Sequence, residues 1–233
     1  MDIKSVNKSN DELVFESLKW HKRNRLYHDT VLRICRENMP PGASVLHVGS
    51  GIGDLLHGLK PKRGLGVDSS PLAVEIAKKN YPELEFRVCS EEDLSTINEK
   101  FDYVIISVSH LLDIWSAFLD IHKVLKPDGR LLVLHINYVW EPILELGIKL
   151  HLIMKQPVQN YLPYEDIRTQ LYLTDYKIIK SNATLIFPKN LKPLSTFLNT
   201  KAEKWPFLRQ FRIVGYIIAV PESKPKPQKE MSC

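Results

Sequence analysis

Two groups of residues, 19 positions apart (68 − 49), are of types that act together on a ligand: Gly49-Ser50-Gly51-Ile52-Gly53, and the carboxylate of Asp68. Val45, Leu46 and Val48 around His47 read as a buried strand, after which glycine occupies every second position until a helical pattern starts at Asp54. A strand that turns into a helix across a loop almost without side chains lets backbone N–H groups and the helix N-terminus approach a polar ligand closely. Gly64-Leu65-Gly66-Val67-Asp68 reads as a second short strand ending in an acid. In nucleotide-binding α/β folds an acid about 20 positions beyond the first glycine accepts the ribose hydroxyls. Together the two signals imply a nucleoside-bearing cofactor. The competing readings are a glycine turn that binds nothing, and an Asp68 that merely caps a helix ahead of Pro71.

The glycine spacing narrows the choice of nucleoside. The dinucleotide fingerprint would place its third glycine at position 54, where this chain has Asp54. A carboxylate there repels a pyrophosphate, which argues against NAD or FAD and makes a NAD-dependent oxidoreductase the less favoured alternative. Gly-x-Gly-x-Gly instead resembles the first motif of the class I S-adenosylmethionine-dependent methyltransferases. That resemblance implies that Gly49, Ser50 and Gly51 wrap the methionine part of S-adenosylmethionine. It also implies that Asp68, with Ser69 beside it, takes both ribose hydroxyls. Adenine is usually held in the family by a carboxylate after the third strand. Here Ser90 aligns with it, and Glu91 or Glu92 either substitutes or is an exposed first-turn acid of a short helix. Ser107, at the end of the fourth strand, completes the cofactor-binding set. His47 stands where the family commonly has Glu or Asp, and a neutral imidazole supplies no opposing charge for the cofactor's ammonium group. The two departures, at His47 and Ser90, keep a non-catalytic, cofactor-binding relative as the main alternative.

Methyl transfer from a sulfonium is an in-line displacement, so most of the catalytic task is alignment. A hydroxyl acceptor also needs a base near neutrality, and His110 in Ser107-Val108-Ser109-His110 is the candidate, a packing role being its competitor. Asn137 and Tyr138, after the fifth strand, are the candidate substrate contacts. The fourth-strand end holds neither an Asn/Asp-Pro-Pro-aromatic string nor a Pro-Cys pair, which argues against methylation of nucleic-acid bases. Cys35, Cys89 and Cys233 show no metal-ligand or disulfide spacing, so no metal is expected and a reducing cytoplasm is.

These residues need a scaffold of alternating elements. Apolar runs predict strands at 44–48, 63–67, 85–88, 103–107, 130–136, 176–187 and 211–220. Helical patterns fall at 11–38, 54–59, 71–80, 114–125, 140–154 and 164–173. The alternation implies an α/β fold: a doubly wound, mostly parallel seven-stranded sheet with an N-terminal helix. About two dozen residues separate the last two strands, too many for a hairpin loop, so residues 188–208 read as a helical insertion, its helix at 191–205. The chain is therefore expected to form one domain over 1–220, with 221–233 as a disordered Pro- and Lys-rich tail. The methyltransferase resemblance covers roughly residues 23–220. Asn24-Arg25-Leu26-Tyr27-His28, Asn137-Tyr138-Val139-Trp140-Glu141-Pro142, Gln159-Asn160-Tyr161-Leu162 and Phe187-Pro188-Lys189 resemble a bacterial group often found beside glycosyltransferases of cell-surface polysaccharide assembly. That implies a small or carrier-linked acceptor, such as an oxygen of a saccharide intermediate.

Composition fits a globular enzyme: 44% hydrophobic and 25% charged residues in 233, without an apolar run of the ~18 residues that a membrane span requires. The start has no apolar core like that of a signal peptide. The net charge of +5 is unevenly placed, since 177–212 carries eight basic residues against Glu203 alone. Such a field suits a phosphorylated substrate or peripheral contact with an anionic membrane through 188–212, or it is a solvated face.

Overall fold

A computed structural model describes residues 14–16, 24–90, 94–152, 160–184 and 211–222. The insertion expected at 188–208, Glu91, most of the tail and much of the segment before Asn24 lie outside the described residues. Seven strands form one sheet in the order β3-β2-β1-β4-β5-β7-β6. They are β1 Ser44–Val48, β2 Arg63–Asp68, β3 Glu85–Val88, β4 Phe101–Ser107, β5 Leu125–Ile136, β6 Tyr176–Thr184 and β7 Val214–Pro221. The first five pair in parallel, and β7 runs antiparallel to both of its neighbours, so the expected mostly parallel sheet is present.

Residues 14–16 are helical, and the longer described helices are α1 Arg25–Asn38, α2 Asp54–Leu59, α3 Pro71–Asn80, α4 Ile114–Val124, α5 Glu141–Lys149 and α6 Tyr164–Leu173. Strand residues alternate between two cores. Leu46, Val48, Val104, Ile106, Leu131 and Val133 join Phe118, Ile121, Ile167 and Leu171 of α4 and α6 on one face. Val45, Ile105, Leu132 and Leu134 join Ile34, Cys35, Val74, Ala77 and Leu144 of α1, α3 and α5 on the other. A central strand buried on both faces must be apolar at nearly every position, which is why β1 and β4 read as continuous apolar runs.

Three boundaries differ most from expectation. α1 begins at Arg25, because Asn24 is a turn whose carbonyl accepts from the backbone of Tyr27 and His28. β5 starts at Leu125, not at Arg130: Leu125 pairs with Phe101 and Arg130 with Tyr103, so Lys126–Gly129 bulge out opposite Asp102. The Asp102 carboxylate holds that bulge, meeting Lys126 Nζ at 2.7 Å while accepting from Ser44 N and Oγ at 2.8 and 2.6 Å. These partners, Lys126 first, pull its carboxyl down to about 2. The helix expected over 140–154 is split into a 3-10 turn, Tyr138–Trp140, and the shorter α5, with Pro142 in its first turn where no N–H is required.

His135 of β5 lies opposite Gly215 of β7. A Cβ on Gly215 would stand 2.1 Å from His135 Nε2, so the buried imidazole occupies the space a side chain would need. Gly215→Ala should therefore destabilise the protein by about 1–3 kcal/mol through overpacking, and His135→Ala in that background should recover part of the loss. Denaturant unfolding of the two single variants and the double variant measures this. A Gly215→Ala midpoint equal to the wild type would refute the contact.

Candidate functional site

The loop after β1 turns on three glycines in the left-handed region, Gly49 at φ 71°, Gly51 at 53° and Gly53 at 89°. Gly53 is needed twice over, because a Cβ there would also lie 2.7 Å from the Phe86 ring. Around Gly51 nothing stands within 4 Å of a Cβ, so the loop sits on Phe86 at one end and faces open space in its middle. Ser50 N donates to Val67 O at 2.8 Å, which ties the loop to the end of β2.

Asp68 completes the tie. Its two oxygens accept from Gly51 N at 2.7 Å and from Ser70 N at 2.9 Å. Burial pushes the Asp68 carboxyl up, and the N–H donors of Ser70 and Gly51 oppose that rise. The helix cap ahead of Pro71 is Ser70, whose Oγ accepts from Ala73 N, so Asp68 is not needed for that role. Each Asp68 oxygen keeps acceptor capacity beyond its one backbone donor, which suits a pair of vicinal hydroxyls. Asp54, the residue that breaks the dinucleotide pattern, accepts from Tyr81 Oη at 2.5 Å.

Two polar atoms beside this loop are buried without a hydrogen-bond partner: His47 Nδ1 and Ser50 Oγ. Burial pushes His47 down to about 4, which leaves it a neutral imidazole. Ser69 is exposed next to Asp68. Cys89 N donates to Asp68 O at 3.0 Å and draws the end of β3, with exposed Ser90 one residue on, alongside Asp68.

Ser107 ends β4, half-buried, and His110 is exposed on the 3-10 turn Val108–His110 that follows. Asn160 clamps this turn. Its backbone N–H donates to Ser109 O at 2.8 Å and its side chain to Leu111 O, one carbonyl on either side of His110. Asn160 belongs to a motif visible in the sequence, but its partner lies 49 positions away and only folding reveals it. Asn137 is engaged with the main chain: Nδ2 donates to Arg212 O at 3.0 Å and Oδ1 accepts from Val139 N at 3.2 Å. Tyr138 beside it is exposed.

The strand order places all of these residues at the C-terminal edge of the parallel strands. His47, Gly49, Ser50, Gly51, Asp68, Ser69 and Ser90 lie by β1–β3, and Ser107, His110, Asn137 and Tyr138 by β4 and β5. The order reverses between β1 and β4, the position at which open α/β sheets form a ligand crevice. One side of that crevice offers backbone N–H groups and a diol-accepting carboxylate. The other offers an exposed imidazole and a phenol.

Residues 45–129 match the family model described as methyltransferase domain. Among curated proteins the chain is similar to the ribosomal protein L11 methyltransferase of Thermosipho africanus, with 33% identity over 44% of this chain and 42% of that protein. It is similar also to the demethylmenaquinone methyltransferase of Chlorobaculum parvum, with 30% identity over 51% of this chain and 49% of that one. The chain thus spans under half the length of these relatives. A SAM-dependent methyltransferase from Thermotoga maritima shares the fold, with TM-score 0.67, 17% identity, and coverage of 90% of this chain and 96% of the other.

The burial of His47 makes stability depend on pH. Its folded value of about 4 lies below the ~6.5 of an exposed imidazole, so the unfolded chain binds the proton more readily. Stability is full above pH ~6.5 and falls as pH drops toward 4, by up to about 3 kcal/mol for this group. His47→Gln should make the drop in unfolding free energy between pH 7 and pH 4.5 smaller. An unchanged drop, read by denaturant titration at both pH values, would show that His47 is not buried as a neutral group.

Proposed function

We propose that this chain, whose residues 45–129 match the methyltransferase-domain model and whose fold is shared by a solved SAM-dependent methyltransferase, is a class I S-adenosylmethionine-dependent methyltransferase that methylates a small or carrier-linked acceptor at the crevice between β1 and β4. The observation that carries this reading is the Asp68 carboxylate, bonded to Gly51 N on the glycine loop and still able to accept two hydroxyls. The unpartnered Ser50 Oγ and the open space at Gly51 support a polar ligand against the loop.

S-adenosylmethionine supplies a methyl group made electrophilic by its sulfonium. Asp68 accepts the ribose hydroxyls, and Gly49, Ser50 and Gly51 border the methionine moiety. Ser69, Ser90 and Glu91 serve the adenosine side, and Ser107 lines the crevice from β4. His47, neutral and buried, offers the cofactor's ammonium group a hydrogen-bond acceptor without charge. His110 takes the proton of a hydroxyl acceptor, its turn held in place by Asn160. Tyr138 orients the acceptor, with Asn137 beside it just past the end of β5. The relatives are named for acceptors as unlike as a ribosomal protein and demethylmenaquinone, so the acceptor must be argued from this chain. Its motif strings favour a saccharide oxygen on a soluble or lipid-carried intermediate, handled in the cytoplasm. The neutral His47 favours a second reading, a relative that holds the cofactor without turnover.

Asp68→Ala should weaken S-adenosylhomocysteine binding at least about tenfold, because charge-assisted hydrogen bonds contribute roughly 1.5–3 kcal/mol each. Calorimetry giving equal affinity for variant and wild type would remove Asp68 from the site. His47→Glu should tighten binding of S-adenosylmethionine by placing a negative charge near its ammonium group. Weaker binding would show that the imidazole makes a contact of its own, and with it the case for a decayed site would lose its main support.

A further inference from the structure

The glycine loop is held at both ends. Asp68 takes Gly51 N from the end of β2. At the other end Tyr81, which follows the last turn of α3, meets the start of α2 in three places. Its hydroxyl donates to Asp54 Oδ1 at 2.5 Å. A Cβ on Gly53 would stand 3.0 Å from an atom of its ring, so the ring lies against the last glycine of the loop. The same ring stacks on His57, with centroids 4.2 Å apart and planes 18° from parallel. His57 Nδ1 in turn pairs with Glu83 Oε1 at 2.8 Å, two residues beyond Tyr81.

What Tyr81 holds is continuous with the loop. Gly53 N donates to Ser50 O at 3.1 Å and His57 N to Gly53 O at 2.9 Å, so loop and first helical turn form one hydrogen-bonded unit. Helix α2 has only six residues, and its cap, Gly53, has no side chain to satisfy the free N–H groups. A helix so short is not stable on its own, and a loop rich in glycine is costly to order. Order must therefore be imposed from outside, and a loop ordered before the ligand arrives binds it more tightly. Burial, with Asp54 and Glu83 nearby, pushes the Tyr81 phenol up to about 12, so it remains a neutral donor to the Asp54 carboxylate.

We propose that Tyr81 is a positioning residue for cofactor binding: through its bond to Asp54 and its ring against Gly53 it fixes the first turn of α2, and so holds the glycine loop in the geometry that receives S-adenosylmethionine. The inference rests on the proposed function for the identity of the ligand, and extends it to a side chain that borders the loop from the end of α3.

Calorimetry of S-adenosylhomocysteine with the full chain tests it. Tyr81→Phe keeps the ring against Gly53 and His57 and removes only the donor to Asp54. It should weaken binding about fivefold, the loss expected for one hydrogen bond to a charged group at a partly exposed position. Asp54→Asn keeps an acceptor oxygen and should bind within about twofold of the wild type, whereas Asp54→Ala should lose at least about fivefold. Tyr81→Phe with Asp54→Ala should bind no more weakly than Asp54→Ala alone, because the two groups act through one contact. Amide hydrogen exchange of the free protein gives an independent readout: Gly53 N–H should exchange faster in Tyr81→Phe, while the amides of β4 keep their wild-type rates. Equal affinity of Tyr81→Phe and wild type overturns the proposal, as do losses that add in the double variant. A fall in melting temperature of more than about 5 °C for Tyr81→Phe would assign the hydroxyl to overall stability, with the same consequence. If the wild type binds no S-adenosylhomocysteine, the cofactor reading falls and the proposal with it; binding by the wild type that Tyr81→Phe leaves unchanged removes the proposal alone.

Discussion

The carboxylate of Asp68 is the hinge on which the candidate site turns. It reaches from the end of β2 to the glycine loop after β1 and bonds Gly51 N, while its other oxygen takes Ser70 N at the start of α3. Ser50 N to Val67 O and Cys89 N to Asp68 O add main-chain bonds on either side, so the ends of β1, β2 and β3 are held in one register. Burial pushes the Asp68 carboxyl up, and one of the N–H donors that oppose the rise, Gly51 N, belongs to the loop it positions. Alanine at Gly53 or Gly66 would collide with Phe86, so the floor of the loop is as constrained as its rim.

Charge is spent differently at the two ends of the sheet. At the N-terminal edge, Arg63 bonds Glu85 and Glu99, and Arg87 bonds the same two acids, a network joining the starts of β2 and β3 to the approach of β4. Exposed pairs are individually weak, and a shared network with bidentate arginines is the arrangement in which they hold geometry best. Asp102, Ser44 and Lys126 repeat the pattern one strand over. The opposite edge has glycines, exposed side chains and two buried polar atoms without partners. Charged networks thus sit at one edge, and the other is held by hydrogen bonds to the main chain.

Beyond β4 and β5 the rim is built by amides. Asn160 fixes the turn that presents His110, and Asn137 with Trp140 fixes the strand exit against the residues that enter β7. Both couple distant stretches of chain, and the second pins the return of the basic segment to the start of α5. The glycine loop, the turn that presents His110 and the start of α5 therefore share one mechanical frame.

Much of the β1–β3 side of the candidate site was legible in the chain itself. Alternating apolar runs, Gly49-Ser50-Gly51 and the acid 19 residues on (68 − 49) reflect local requirements, a buried parallel strand, left-handed turns and a strand-end carboxylate, and such requirements leave their mark within a few residues. Helices α2, α3 and α6 begin and end where their periodicity and caps place them. What only tertiary structure decided involves partners remote in sequence. Asp102 carries β5 back through a bulge to Leu125, because Lys126 and Ser44 meet on it from either side. Asn137, read as a substrate contact, donates its Nδ2 to the Arg212 carbonyl 75 positions away. Ile143 and Leu146 of α5, both exposed, could not be told from a core face by periodicity, since both repeat about every 3.6 residues. Only the fold shows that Leu144 is the apolar side chain of this helix that enters the core.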